Sequence, residues 1–277
     1  MEMWYYKVNK FLRGTTMKSI KCVMLDLDGT VYLGENVFPF TLDFLKTLDN
    51  LNIGHIFLTN NSSKSTDAYI EKFAKMGITA TKENILISSH AAADYLNTHF
   101  KDKRVFILGT PSMQKEMVEL GVNVVEDDPE VLLAGFDTIL DYSRLTKFAN
   151  LVNTGLPYIA THPDAVCPAE NGFLPDLGSV IELIYACTKR RPQVICGKPN
   201  EQILIAAENK TGFKRENLLM VGDRLTTDIA IGAHGIRTAL VLSGEATMED
   251  VPSAPHKPTY IFDSIKELGE ALKEANK

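Results

Sequence analysis

Four apolar runs in this chain each stop at a polar or charged residue and give way to a helical pattern, and that rhythm limits the folds open to it. The runs cover residues 20–25, 53–58, 194–196 and 218–221. They end at Asp26-Leu27-Asp28, Thr59-Asn60-Asn61, Gly197-Lys198-Pro199 and Gly222-Asp223. Short continuous apolar runs bounded by turn residues mark strands buried on both faces, the condition of a parallel sheet covered by helices. The expected fold is therefore α/β, a Rossmann-like doubly wound parallel sheet. In such a sheet the carboxyl ends of the strands share one edge, and ligands bind there.

The first strand end carries the most chemistry. Asp26 and Asp28 stand two residues apart, and Gly29-Thr30 turns the chain away from the strand. Carboxylates this close repel and raise one another's pKa unless a cation lies between them. A hard divalent ion with oxygen ligands, Mg²⁺ before any other, suits the pair. One carboxylate could then attack phosphorus while the other passes a proton to the leaving oxygen. Taken alone, such a pair before Gly-Thr is more often a solvated turn, so the other strand ends decide its meaning. Asp223 can complete the oxygen shell of a cation held by Asp26. Asp228, five residues on, suits a helix-dipole role or the support of that shell. Thr59-Asn60-Asn61 offers a hydroxyl and backbone N–H groups where a helix begins, a cradle for phosphate and also an ordinary helix cap. Lys198, fixed in its turn by Pro199, can neutralise negative charge developing on a phosphoryl group. Without those neighbours it would be a solvated surface lysine.

Between the second and third of these ends the pattern changes. Short strands are expected at 85–87, 104–108, 122–125, 131–133, 138–140 and 158–160, alternating with helices at 91–100, 112–120 and 144–153. The alternation predicts an α/β cap domain inserted over residues 83–178. The core domain then consists of 18–82 and 179–277, and 1–17 form an N-terminal extension in which Met17 offers a second start. Residues 161–178 contain three prolines and two glycines and are expected to form an ordered irregular loop. Its stretch from His162 to Asp176 is the candidate for substrate contact. The six histidines show no ligand spacing, so His162 is expected to hydrogen-bond within the loop rather than bind metal.

Composition narrows the partners. A chain of 277 residues suggests two domains. The net charge of −6 argues against a nucleic acid polymer or an anionic membrane, both of which need a basic face. No apolar run approaches the roughly 20 residues of a membrane span. Cys22, Cys167, Cys187 and Cys196 lack paired spacing, and Cys22 and Cys196 lie in apolar runs, so buried free thiols in a reducing compartment are expected. With no secretory signal pattern at the start, the expected location is cytoplasmic.

The four strand ends, in this order, resemble the motifs of the haloacid dehalogenase superfamily of phosphohydrolases. Leu25-Asp26-Leu27-Asp28-Gly29-Thr30-Val31-Tyr32 is similar to its first motif and Leu58-Thr59-Asn60-Asn61-Ser62-Ser63 to its second. Gly197-Lys198-Pro199 is similar to the third, and Val221-Gly222-Asp223-Arg224 through Thr227-Asp228 to the fourth. Gly232, Gly235, Thr238 and Leu240-Val241-Leu242-Ser243-Gly244 resemble the NagD-like, or p-nitrophenylphosphatase-like, branch, in which an α/β cap is inserted between the second and third motifs. The resemblance implies an aspartyl-phosphate on Asp26, with Asp28 as general acid and then base. It implies phosphoryl binding by Thr59 and Lys198, Mg²⁺ held by Asp26, the Asp28 backbone carbonyl and Asp223, and support from Asp228. It also implies a small phosphorylated metabolite, such as a sugar phosphate or nucleotide, as substrate, and it admits a homodimer formed through the cap. Two other uses of the core stay open, a phosphoryl-accepting regulatory module and a phosphotransferase. One departure is Pro175-Asp176-Leu177-Gly178, where the family often has Pro-Gly before a small residue. An acid there is expected to disfavour a carboxylated or doubly anionic substrate tail.

Overall fold

The strands Cys22–Leu25 and Leu218–Gly222 are buried at every residue and pair in parallel, with Leu25 opposite Val221. They appear in a computed structural model that describes residues 17–169 and 172–277, so the expected extension lies, apart from Met17, outside the described residues. Both belong to a unit that runs to Leu58 and includes Met76–Ile78 and Ala207–Lys277. Its strands run in the order Tyr260–Phe262, Arg237–Val241, Leu218–Gly222, Cys22–Leu25 and Gly54–Thr59, all parallel. The chain leaves Cys22–Leu25 on one side and returns on the other, so the order reverses beside that strand. At such a point a doubly wound sheet opens a crevice along its carboxyl edge. The fold is thus the expected α/β, Rossmann-like one. The helices Thr41–Asn50 and Ile265–Ala275 pack together and bury Phe44, Leu48, Leu268 and Leu272. The Ser264 hydroxyl caps the second by accepting from the Lys266 N–H at 3.1 Å.

The second unit comprises Thr59–Lys75 and Thr79–Ala206. It holds a four-stranded parallel sheet in the order Val194–Ile195, Tyr158–Ala160, Val131–Ala134 and Val105–Leu108. The helices Tyr142–Asn153 and Leu177–Thr188 bury Phe148 and Ile184 in a core with Phe106, Leu132 and Tyr158. The rings of Phe148 and Tyr158 meet edge to face, 5.3 Å apart.

Three expected elements fold differently. Residues 122–125 form no strand: the Val124 N–H turns back to the Val122 carbonyl at 3.0 Å, leaving a single bridge to Val105. Residues 138–140 form a turn, because the Asp137 carboxylate accepts from the Ile139 N–H at 3.1 Å and offers the backbone a local partner in place of a ladder. The stretch expected as irregular loop contains an antiparallel hairpin, Val166–Ala169 with Gly172–Pro175. Its two prolines are tolerated because a two-stranded ribbon leaves each strand one unpaired edge.

Cys22 and Cys196 are buried free thiols, and burial pushes both up to about 12. Among the described residues no helix is long and apolar enough to cross a membrane. Tyr158 is fully buried and its hydroxyl has no hydrogen-bond partner. Removing an unsatisfied buried hydroxyl is favourable by about 1 kcal/mol. Tyr158→Phe is therefore expected to raise the unfolding midpoint in urea, whereas a fall of that size would reveal a partner for the oxygen.

Candidate active site

Asp26 and Asp223 each follow directly on one of the two central strands. The Leu25–Val221 register, extended by the Asp26 N–H donating to the Val221 carbonyl at 2.9 Å, sets them side by side. Asp228 joins them from the π-helical turn Leu225–Ile229 that follows, and the three residues offer carboxylate oxygens within 4.8 Å of one another. Asp223 and Asp228 are buried and Asp26 is half-buried. Burial first, and then the charges of Asp26 and Asp228, push the Asp223 carboxyl up to about 8.

The surroundings of Asp223 explain how the chain tolerates this. Its Oδ2 accepts from the Glu245 N–H at 2.7 Å, while its buried Oδ1 has no hydrogen-bond partner. A Cβ on Gly29 would stand 2.2 Å from Oδ2, and one on Gly244 would stand 2.0 Å away. Gly29 also has φ +85°, in the left-handed region. The Ser243 hydroxyl donates to the Gly29 carbonyl at 2.7 Å and ties the two glycine segments together. Asp228 accepts from the Arg224 N–H at 3.1 Å, and Arg224 pairs with Glu245 at 3.0 Å. An orphaned buried oxygen, three converging carboxylates and space kept clear of side chains fit a small divalent cation with oxygen ligands. Asp28 is exposed, and its carboxylate accepts from the Gly34 N–H at 3.3 Å. Sequence reasoning did not single out Glu245, whose contribution is a backbone N–H, or the space requirement at Gly244.

The second unit gathers the remaining predicted residues. Thr59 ends its strand and accepts from the Asn61 N–H at 3.1 Å. The Asn61 side chain accepts from the Ser63 N–H at 3.0 Å and the Ser63 hydroxyl at 2.7 Å. Lys198 is only 2% exposed, and its backbone is bound to the Asn60 side chain. His162 is fully buried between the Thr161 hydroxyl at 2.9 Å and the Asp176 carboxylate at 2.9 Å. Asp176 also accepts from the Leu177 N–H at 2.6 Å as the cap of its helix. Its charge is thus held inside the protein by His162 and a helix start, a different role from the expected repulsion of a substrate tail.

Residues 23–123 match the haloacid dehalogenase-like hydrolase family, and residues 195–268 match a HAD-hydrolase-like family. The acid sugar phosphatase of Staphylococcus aureus (strain MRSA252) is 34% identical over 264 residues, covering 94% of this chain and all of that protein. The chain is a haloacid dehalogenase-like phosphatase. The 4-nitrophenylphosphatase of Thermotoga maritima, at 39% identity, superposes with a TM-score of 0.89 over 93% of this chain and 99% of its own. NagD from E. coli K-12 superposes with a TM-score of 0.82 at 30% identity, over 90% of this chain and 98% of its own. These likenesses place the phosphatase in the NagD-like branch.

The raised Asp223 carboxyl has a consequence for stability. Without a cation the folded protein holds a proton there that the unfolded chain releases near pH 4. This group's contribution is therefore greatest below that pH and is lost as the pH rises to about 8. Thermal unfolding in chelator is expected to show this loss between pH 5 and 8, and a divalent cation is expected to reverse it. Asp223→Asn should remove the slope, and a chelated wild type as stable at pH 8 as at pH 5 would contradict the assignment.

Proposed function

We infer that the protein hydrolyses phosphate monoesters of small metabolites, sugar phosphates or nucleotides, with Mg²⁺ as its cation. The observation that carries this reading is the cluster of Asp26, Asp223 and Asp228 at the ends of the two central strands, with an unsatisfied Asp223 oxygen among them. Asp26, the Asp28 backbone carbonyl and Asp223 would hold the cation, and Asp228 would steady Asp223. When bound, it neutralises the carboxylates and draws electron density from the phosphoryl oxygens.

The chain's own groups then divide the work. An Asp26 oxygen attacks phosphorus, the ester P–O bond breaks, and Asp28 gives its proton to the leaving oxygen. Asp28, now a carboxylate, takes a proton from water, whose oxygen attacks the aspartyl-phosphate. The bond from phosphorus to Asp26 breaks and inorganic phosphate is formed. Lys198 and the Thr59 hydroxyl bind the non-bridging oxygens during both displacements. Residues 83–178 act as the cap, and the stretch from His162 to Asp176 carries substrate selection. The acid sugar phosphatase and 4-nitrophenylphosphatase activities named for the relatives support small esters as substrates. An exposed acid two residues from the nucleophile favours hydrolysis over storage of the phosphoryl group, which argues against a regulatory module.

Phosphate release from a panel of sugar phosphates, nucleotides, glycerol phosphate and pyridoxal phosphate is expected with Mg²⁺ and not with chelator. Asp26→Asn should abolish turnover while leaving the circular dichroism spectrum unchanged. Turnover that survives this change would overturn the mechanism. In the same assay, transfer to an added alcohol in preference to water would assign the chain to phosphotransfer instead.

A further inference from the structure

We propose that Asn60 is a positioning residue for Lys198 and that Asp164 sets the direction of its amide. The inference rests on the phosphatase reading only in taking Lys198 as the phosphoryl-binding cation. Asn60 is 5% exposed, and its amide grips both backbone polar groups of one residue 138 positions away. Oδ1 accepts from the Lys198 N–H at 2.8 Å, and Nδ2 donates to the Lys198 carbonyl at 2.9 Å. Nδ2 also donates to the two Asp164 oxygens, at 3.2 and 3.3 Å. The Asn60 carbonyl accepts from the Ser88 hydroxyl at 2.5 Å. Both amide hydrogens thus have protein acceptors, and the amide oxygen has a protein donor. The side chain is committed to the lysine turn rather than to a phosphoryl group.

This pairing sets where Lys198 begins. A lysine ammonium sits on a flexible four-carbon stem, so its reach is defined only if the backbone beneath it is fixed. Asn60 follows Thr59 in the chain, so one amide links the predicted phosphate hydroxyl to the predicted phosphate cation. Gly197 leaves room for the link, since a Cβ there would lie 2.5 Å from Asn60 Oδ1 and 2.7 Å from the Thr161 carbonyl. Asp164 supplies the polarity. A carboxylate only accepts, so it draws the N–H face of the amide to itself and leaves the oxygen for the Lys198 N–H. Asp164 is itself anchored, its carbonyl accepting from the Gly178 N–H at 2.7 Å. An aspartate at position 60 would have the same shape and the wrong polarity, setting an acceptor against the Lys198 carbonyl and the Asp164 carboxylate.

The test is a double-mutant cycle in which calorimetry gives the affinity of the Mg²⁺-loaded protein for inorganic phosphate, with kcat/KM on p-nitrophenyl phosphate as a second readout. Misplacing a binding group by about 1 Å costs on the order of 100-fold in rate. Asn60→Ala and Asn60→Asp are therefore expected to lower kcat/KM by one to two orders of magnitude and phosphate affinity by about tenfold. Asp164→Ala, a milder change that guards against misfolding, should lower affinity about threefold. In a Lys198→Ala background each of these changes should cost less than about twofold, because its effect runs through the lysine. Wild-type affinity in both Asn60 variants, or losses that multiply fully in the Lys198→Ala background, would overturn the proposal. A wild type that binds phosphate but hydrolyses no ester would defeat the phosphatase reading, while the binding cycle would still decide the role of Asn60. A wild type that binds no phosphate would overturn both.

Discussion

Parallel pairing of two wholly buried strands is the constraint on which the first unit depends. Cys22–Leu25 and Leu218–Gly222 contribute apolar side chains to both faces of the sheet, and their register leaves no freedom at the ends. A slip of one residue would exchange the faces of every side chain in the strand, so burial holds the register firmly. Asp26 and Asp223 are thereby held together although their charges repel. The unfavourable term is local and shows itself in the raised Asp223 carboxyl, while the favourable one is spread over the strands behind it.

The second unit meets a related problem with a chain of neutral and charged hydrogen bonds. The Phe136 N–H donates to the Ser62 hydroxyl, which lies 3.0 Å from the Thr161 hydroxyl, and from there the chain passes through His162 to Asp176 and a helix start. A buried polar network satisfied at each step rigidifies its surroundings. It fixes the segment that carries Asp164 close to the one that carries Asn60, and joins three stretches distant in sequence. The hairpin Val166–Ala169 with Gly172–Pro175 springs from this anchored base.

The strand ends were legible because a run of buried residues broken by acid, hydroxyl or ammonium is a local signal, complete within about ten residues. Asp26, Thr59, Lys198 and Asp223 were singled out in that way, and most strands and helices of both units were legible from the same patterns. Partners at long range left no such trace. Nothing near Asn60 announces that its amide will meet the backbone of Lys198, and nothing near Gly244 announces a carboxylate 2.0 Å from where a Cβ would be. Asp176 looked like a charge set against substrate because it stands where the family often has glycine, and only the fold brings His162 to it. Residues 138–140 misled in the opposite sense, since Asp137 redirects the Thr138-Ile139-Leu140 triplet that would otherwise read as a strand.

The Asn60 side chain grips Lys198 by its main-chain N–H and carbonyl, and this separates place from identity at that position. Any residue able to follow Gly197 and precede Pro199 would be seated by the same two hydrogen bonds. The turn works as a socket, holding its geometry while the group plugged into it is exchanged. Chemistry at the tip can therefore drift or be redesigned without rebuilding the support, whereas the support at position 60 has no such latitude.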